Sequence, residues 1–237
     1  MTKLSVNINK VATIRNSRGG NTPDVKRVAM DCELFGAEGI TVHPRPDERH
    51  IRYADVREIR PIITTELNIE GNPIDSFVRL VLEVKPTQVT LVPDSENQIT
   101  SNHGWDTKAN KSFLTDVIGQ MKECGIRTSV FVDADANMVE GAKECGADRV
   151  ELYTGPYAAA YSACREEAIG PFLEAANEAR KLGIGLNAGH DLSLTNLHYY
   201  HEIIPWTDEV SIGHALISDS LYIGLRATIG KYLEALK

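Results

Sequence analysis

Cysteine is scarce and scattered. Cys32, Cys124, Cys145 and Cys164 form no CxxC pair and no cluster with histidine, which argues against a disulfide scaffold or a thiolate metal site and fits reduced thiols in a cytosolic protein. No apolar run approaches the roughly 18 residues of a membrane span, and the opening MTKLSVNINK holds no apolar signal core. A cytoplasmic location without membrane partners is the expectation. Positive charge is also short: 25 Lys and Arg against 33 Asp and Glu leave a formal charge of −8, with no basic block. Nucleic acid is therefore a poor partner, and an anionic ligand has to be met by a local positive site. Finally, no GxGxxG follows the first apolar run, which speaks against an open dinucleotide-binding sheet.

What is present is ordinary in amount and regular in order. With 42% hydrophobic and 24% charged residues in 237, the chain can build one large core. Short apolar runs at Leu4 to Asn7, Gly39 to Val42, Thr65 to Asn68, Gln88 to Val92, Arg127 to Val132, Arg149 to Tyr153, Gly185 to Ala188 and Glu209 to Ile212 read as strands. Helical patterns separate them: one capped by Asp24, then Ala54 to Ile59, one begun by Pro73, Asn110 to Cys124, Met138 to Cys145, Pro171 to Leu182, Thr195 to Ile203 and Ser218 to Leu236. Two stretches are read as irregular, the polar NKVATIRNSRGGNTPD and the long PDSENQITSNHGWDT, the second of which has the length of a functional lid. Eight strand–helix alternations predict an α/β (β/α)8 TIM barrel in one domain over residues 1–237. The phrases FGAEGI, ECGIRT, ECGADR and KLGIGL each read as a helix end, a glycine stop and a strand start.

If the strands converge, their carboxyl ends share one mouth, where barrel enzymes keep their active sites. GITVHPRPDERH is the densest of these ends. Pro44 and Pro46 cannot donate to a ladder, so the chain leaves the sheet as a stiff loop that aims His43, Arg45 and His50. Alone, this would pass for a solvated charged loop, but chemistry-bearing residues also follow the other runs: Asn7, Glu70, Thr100, Asp133, Glu151, Thr154, His190 and His214. His43, Glu70 and His190 make a plausible set of proton carriers. Glu151, inside RVELY, is either an ion-pair member or an electrostatic aid to a cationic intermediate. Gly189-His190 and Gly213-His214 follow the last two strands, where barrels bind phosphate through backbone N–H groups. Arg18 and Arg45 are candidate charged forks for phosphate, and Asn7 either orients a ligand or satisfies backbone.

The motifs VNINKVATIRNSRGG, GITVHPRPDERHI, LNIEG, LVPDSENQITSNHGWD, VELYTGPYA, LNAGHDLS and VSIGHALI resemble the pyridoxine 5′-phosphate synthase family along nearly the whole chain. The resemblance implies a barrel with extra helices, assembled as a homo-octamer of dimers and needing no metal or organic cofactor. It also implies condensation of 3-amino-2-oxopropyl phosphate with 1-deoxy-D-xylulose 5-phosphate to give pyridoxine 5′-phosphate, phosphate and water. By position, His43 and Glu70 would be proton acceptors, His190 the proton donor and Glu151 a stabiliser of transition-state charge. Asn7, Arg18 and Gly213-His214 would hold the amino-ketone phosphate, and Arg45, His50 and Thr100 the deoxyxylulose phosphate. The chain departs from the family pattern at Asn9-Lys10, where an Asp-His pair is frequent. It departs again at Asp191, in a substrate-binding position where a glycine often follows the donor histidine.

Two other enzyme classes fit parts of this inventory. A metal-dependent barrel hydrolase could use His43, His50, Glu70, His190 and Asp191 as ligands, although strand one lacks an HxH pair. A phosphosugar aldolase or epimerase is the other, but the imine-forming kind wants a lysine within a barrel strand, and the runs above offer none.

Overall fold

The structure is a computed structural model that describes residues 1–95 and 98–237. Eight parallel strands pair in sequence order and close when β8 meets β1. They are β1 (Lys3–Asn7), β2 (Gly39–Val42), β3 (Glu66–Gly71), β4 (Gln88–Leu91), β5 (Arg127–Val132), β6 (Arg149–Tyr153), β7 (Gly185–Gly189) and β8 (Glu209–Ile212). The helices, in chain order, are α1 (Asn9–Asn16), α2 (Val25–Leu34), α3 (Tyr53–Ile59), α4 (Asp75–Val84), α5 (Lys111–Glu123) and α6 (Ala136–Glu144). They continue with α7 (Gly155–Ala160), α8 (Arg165–Leu182), α9 (Leu197–Ile203), α10 (His214–Ile223) and α11 (Leu225–Glu234). This is the expected (β/α)8 barrel, with helices beyond the basic eight.

The strands are apolar on one face only. Outward residues such as Leu4 and Val6, Ile40 and Val42, or Val150 and Leu152 are fully buried under the helices. The helices answer with stripes at helical spacing, as in α4, where Phe77, Leu80 and Val81 are buried. Emptying one such site, as in Leu80→Ala, costs about 2–5 kcal/mol. The inward residues are mostly polar, with Phe131 an exception at the mouth, whereas barrel interiors are usually filled by Val, Ile and Leu. At mid-height Ser5 Oγ bonds Thr41 Oγ1 at 2.7 Å, and Thr90 Oγ1 donates to Asn68 Oδ1 at 3.1 Å and across the barrel to Glu151 Oε2 at 3.4 Å. At the floor Lys3 and Arg127 pair with Glu66, while Arg149 reaches Glu209 at 3.4 Å. Burial pushes the Glu209 carboxyl up to about 7 despite Arg149 and Arg127. Lys3 opens β1, but as the strand's first residue, remote from the mouth and ion-paired, it is not the interior strand lysine that an imine-forming aldolase wants.

The glycine joints hold as expected. Gly36, Gly125, Gly146 and Gly183 all have positive φ. Each is followed by the same bond spanning five residues: Ala37 N–H to Cys32 O, Ile126 to Met121, Ala147 to Ala142 and Ile184 to Ala179, at 3.0 to 3.1 Å. This is the Schellman closure, repeated at four joints of the floor. Asp24 caps α2 through the N–H groups of Lys26 and Arg27.

Three expectations are corrected. The stretch after β1 is not all loop, since residues 9–16 form α1; Val11, Ala12 and Arg15 recur on one face and are buried. The helix expected from Pro171 begins at Arg165, because burying Ala168 and Ile169 with Phe172 outweighs the bond lost at an internal proline. The last helix is two, broken at Gly224, whose φ of +81 ends α10.

Candidate active site

The strand ends open on one cavity of about 530 Å³. Eleven of the twelve site residues expected from the sequence line it: Asn7, His43, Arg45, His50, Glu70, Thr100, Glu151, His190, Asp191, Gly213 and His214. Arg18 is the exception, exposed just beyond α1 and absent from the lining. Asp133 and Thr154 also stand off the wall. Asp133 accepts the Gly104 N–H at 3.2 Å, and Thr154 is fully buried beneath the β7 turn. Not every histidine gathers at the mouth, since His198 and His201 lie on α9.

His43 immediately follows β2, and its Nδ1 lies 4.0 Å from Glu70 Oε2. Its backbone N–H donates to Asn9 Oδ1 at 2.9 Å, while the Asn9 N–H donates to Asn7 Oδ1 at 3.0 Å. One of the departures from the family pattern thus anchors the first imidazole. Glu70 accepts from Asn7 Nδ2 and Ser211 Oγ, both at 3.4 Å. Burial, reinforced by Arg45, His50, His190 and Arg49, lowers the His43 pKa well below its usual value. Burial, with Glu209 and Asp94 nearby, raises that of Glu70, against the opposing Ser211 bond. The usual order is reversed, and burial favours the uncharged form of each group.

Glu151 projects inward from β6 in space that Gly189 leaves free. A Cβ at Gly189 would lie 2.4 Å from Glu151 Oε1 and 2.9 Å from Ser211 O. Burial first, and then the charges of Glu70 and Glu209, hold Glu151 well above the carboxylate range. With two buried carboxyls near each other, a cation entering the cavity would be stabilised by ionising them.

His190 follows β7 with φ +87, unusual for a residue other than glycine and costing of order 1–3 kcal/mol. Its Nε2 lies 2.7 Å from Thr100 Oγ1 and its Nδ1 2.5 Å from Asp191 Oδ2. The Asp191 N–H donates to Thr154 Oγ1 at 3.1 Å. At the end of the neighbouring β8, Gly213 and His214 begin α10, so a helix N-terminus opens on the cavity, the geometry that receives phosphate. A Cβ at Gly213 would stand 3.0 Å from that of Asn7.

The remaining wall is cationic. Arg45, 5% exposed, pairs through Nη2 with Asp94, and its Nη1 donates to Gln98 O at 2.8 Å, as Arg49 Nη1 does at 3.0 Å. Ser101 Oγ donates to Asp94 Oδ2 at 2.9 Å. These bonds fold the long loop after β4 against the β2 loop; residues 96 and 97 of that loop lie outside the described residues. From α1, Arg15 Nη2 and Asn16 Nδ2 donate to His50 O at 3.1 and 2.9 Å. Burial, with Arg45, Lys10 and Arg49, lowers the His50 pKa to about 4. Among the described residues no three His, Cys, Asp or Glu side chains are placed to share a metal ion.

Imidazoles, carboxyls and cations at the carboxyl ends of a closed parallel barrel define a (β/α)8-barrel enzyme of the acid–base kind. The profile of the family described as "Pyridoxal phosphate biosynthesis protein PdxJ" matches residues 4–237, and the chain belongs to that family. It is 68% identical over 237 residues, all of both chains, to pyridoxine 5′-phosphate synthase of Bacteroides thetaiotaomicron. To the protein of that name from Cytophaga hutchinsonii it is 63% identical, again over both full lengths. Among solved structures, 3-keto-L-gulonate-6-phosphate decarboxylase from Vibrio cholerae superposes with a TM-score of 0.67 at 10% identity, covering 99% of this chain and 97% of that one. Phosphoribosyl anthranilate isomerase from Thermotoga maritima gives 0.62 at 12%, covering 100% and 98%. These two likenesses concern the fold alone.

Asn9, Lys10, Arg49 and Ser211, none of them among the site residues expected from the sequence, also line the cavity. The signal for Ser211 was the alternation E-V-S-I, which puts it on the same strand face as Glu209.

Proposed function

We propose that this chain is a pyridoxine 5′-phosphate synthase, joining 3-amino-2-oxopropyl phosphate to 1-deoxy-D-xylulose 5-phosphate with loss of phosphate and water. The observation that carries the reading is the convergence of His43, Glu70, Glu151 and His190 in one cavity walled by cations on the β2 side and a helix N-terminus on the β8 side. Forming an imine and closing an aromatic ring needs proton transfers at several separate atoms, which one group cannot reach. Neutral His43 is ready to take a proton. Glu70 becomes a base once the ammonium of the amino ketone enters and lowers its pKa, and Glu151 stabilises the same positive charge. His190 returns a proton to a departing oxygen. Asn7, the Gly213-His214 turn and Arg18 are assigned to the amino-ketone phosphate, and Arg45, His50 and Thr100 to the deoxyxylulose phosphate. Holding both reactants in register recovers up to about 7–11 kcal/mol of the cost of a bimolecular step in ideal cases.

A cytoplasmic homo-octamer built from dimers belongs to the same reading. Among the described residues no helix is long and apolar enough to cross a membrane. The exposed Leu221, Tyr222 and Ile223 at the end of α10 offer an apolar face of the kind subunits cover. The test of function is incubation with both phosphorylated substrates while following the absorbance of pyridoxine 5′-phosphate. Product that requires both substrates is expected; tight binding without product would point to a non-catalytic barrel.

A further inference from the structure

We propose that Asp191 is a positioning residue for His190: its carboxylate keeps one imidazole proton on Nδ1 and so makes Nε2, the atom beside Thr100, the one that carries protons for the reaction. This rests on the proposed function, in which His190 is the proton donor.

The geometry leaves Asp191 little else to do. Its Oδ2 lies 2.5 Å from His190 Nδ1. An ionised carboxylate only accepts, so Nδ1 is the donor. In the neutral ring Nε2 then bears the lone pair and receives the Thr100 hydroxyl at 2.7 Å. Adjacent side chains rarely meet in this way, and the turn is held in shape on both sides of His190. Thr154 Oγ1 donates to Gly189 O at 2.5 Å and accepts the Asp191 N–H at 3.1 Å, and the His190 N–H donates to Ser211 O at 3.4 Å. The Tyr153 ring stands edge-on to the imidazole at 5.5 Å between centroids, limiting its rotation. The Asp191 side chain is 40% exposed, so it is not a core ion pair on which folding depends.

The chemical consequence is a cycle with no net change in the protein. Nε2 takes a proton from one substrate group, giving an imidazolium whose charge Asp191 balances. The same Nε2–H is then delivered to the oxygen that departs as water or phosphate, and Nδ1 keeps its proton throughout.

The test compares the native full-length protein with Asp191→Asn in two measurements. Nitrogen-15 NMR of labelled histidines, with His190→Gln to assign the ring, should show native His190 protonated at Nδ1 and bare at Nε2 when neutral. In Asp191→Asn, whose amide can donate, that preference should be lost or reversed. In turnover, Asp191→Asn should lower kcat about 10–100-fold, less than the about 10⁴-fold seen when a buried triad aspartate becomes asparagine, because Asp191 is partly solvated. The KM values of both substrates should move less than about twofold. An unmoved tautomer, or a raised KM with kcat held, would overturn the proposal, the second by showing that Asp191 binds substrate instead. Absence of product from the native protein would remove the proposed function, and the NMR comparison alone would then decide whether Asp191 sets the tautomer.

Discussion

His43 Nδ1 stands 4.0 Å from Glu70 Oε2, in a pocket where burial lowers the pKa of the first group and raises that of the second. A protonated histidine next to a carboxylate would be an ordinary ion pair. Here the low dielectric favours the uncharged form of both groups, and the positive charges of Arg45 and Arg49 further disfavour protonation of His43.

Gly189 is where this arrangement has least tolerance. In Gly189→Ala the new Cβ would occupy the place of Glu151 Oε1, 2.4 Å away, with the Ser211 carbonyl at 2.9 Å blocking retreat. Overpacking of this kind costs about 1–3 kcal/mol of stability. The predicted loss in kcat is larger, about 10²-fold, because an ångström of displacement at a reacting group is enough. Urea denaturation and turnover of the same variant separate the two effects.

Asp94 and Arg45 form a buried pair, each 5% exposed, that also ties the loop after β4 to the mouth. Asp94→Ala leaves the guanidinium buried without its carboxylate, a change that costs roughly 3–5 kcal/mol in comparable sites. If Arg45 holds the deoxyxylulose phosphate, KM for that substrate should rise more than KM for the amino ketone. Equal changes in the two would separate Arg45 from that role.

His50 supplies a prediction about pH. Its folded pKa, about 4, is below the ordinary 6.5. The unfolded chain therefore binds the proton more readily, and the stability contributed by the buried neutral ring is complete above pH 6.5 and lost as pH falls toward 4. Groups common to both proteins cancel when native and His50→Gln are compared. The stability difference between them should shrink by roughly 2–3 kcal/mol between pH 7.5 and pH 4. A constant difference in urea denaturation across that range would contradict the burial of a neutral His50.

How much of this was legible in the sequence varies with how local the rule is. The four glycine joints could be read because a left-handed stop after a helix is decided within a few residues. The mouth residues were legible because each follows an apolar run, and closing the barrel puts all such ends together. The first helix was hidden by its polarity. Arg15 is buried there, which makes sense only once Asp55 and the His50 carbonyl are in place to receive it. The polar barrel interior was equally obscure, since R-V-E-L-Y and E-V-S-I read as apolar runs until a closed sheet assigns one face inward. The Asp191–His190 contact depends on a φ of +87 that residue type alone would not predict.

Turnover of His43→Ala and Glu70→Gln with both substrates decides whether His43 and Glu70 carry protons in the limiting chemistry. Each should lose about 10²–10⁴-fold in kcat while still folding, as far-ultraviolet circular dichroism would show. Near-native kcat in both variants would contradict that role.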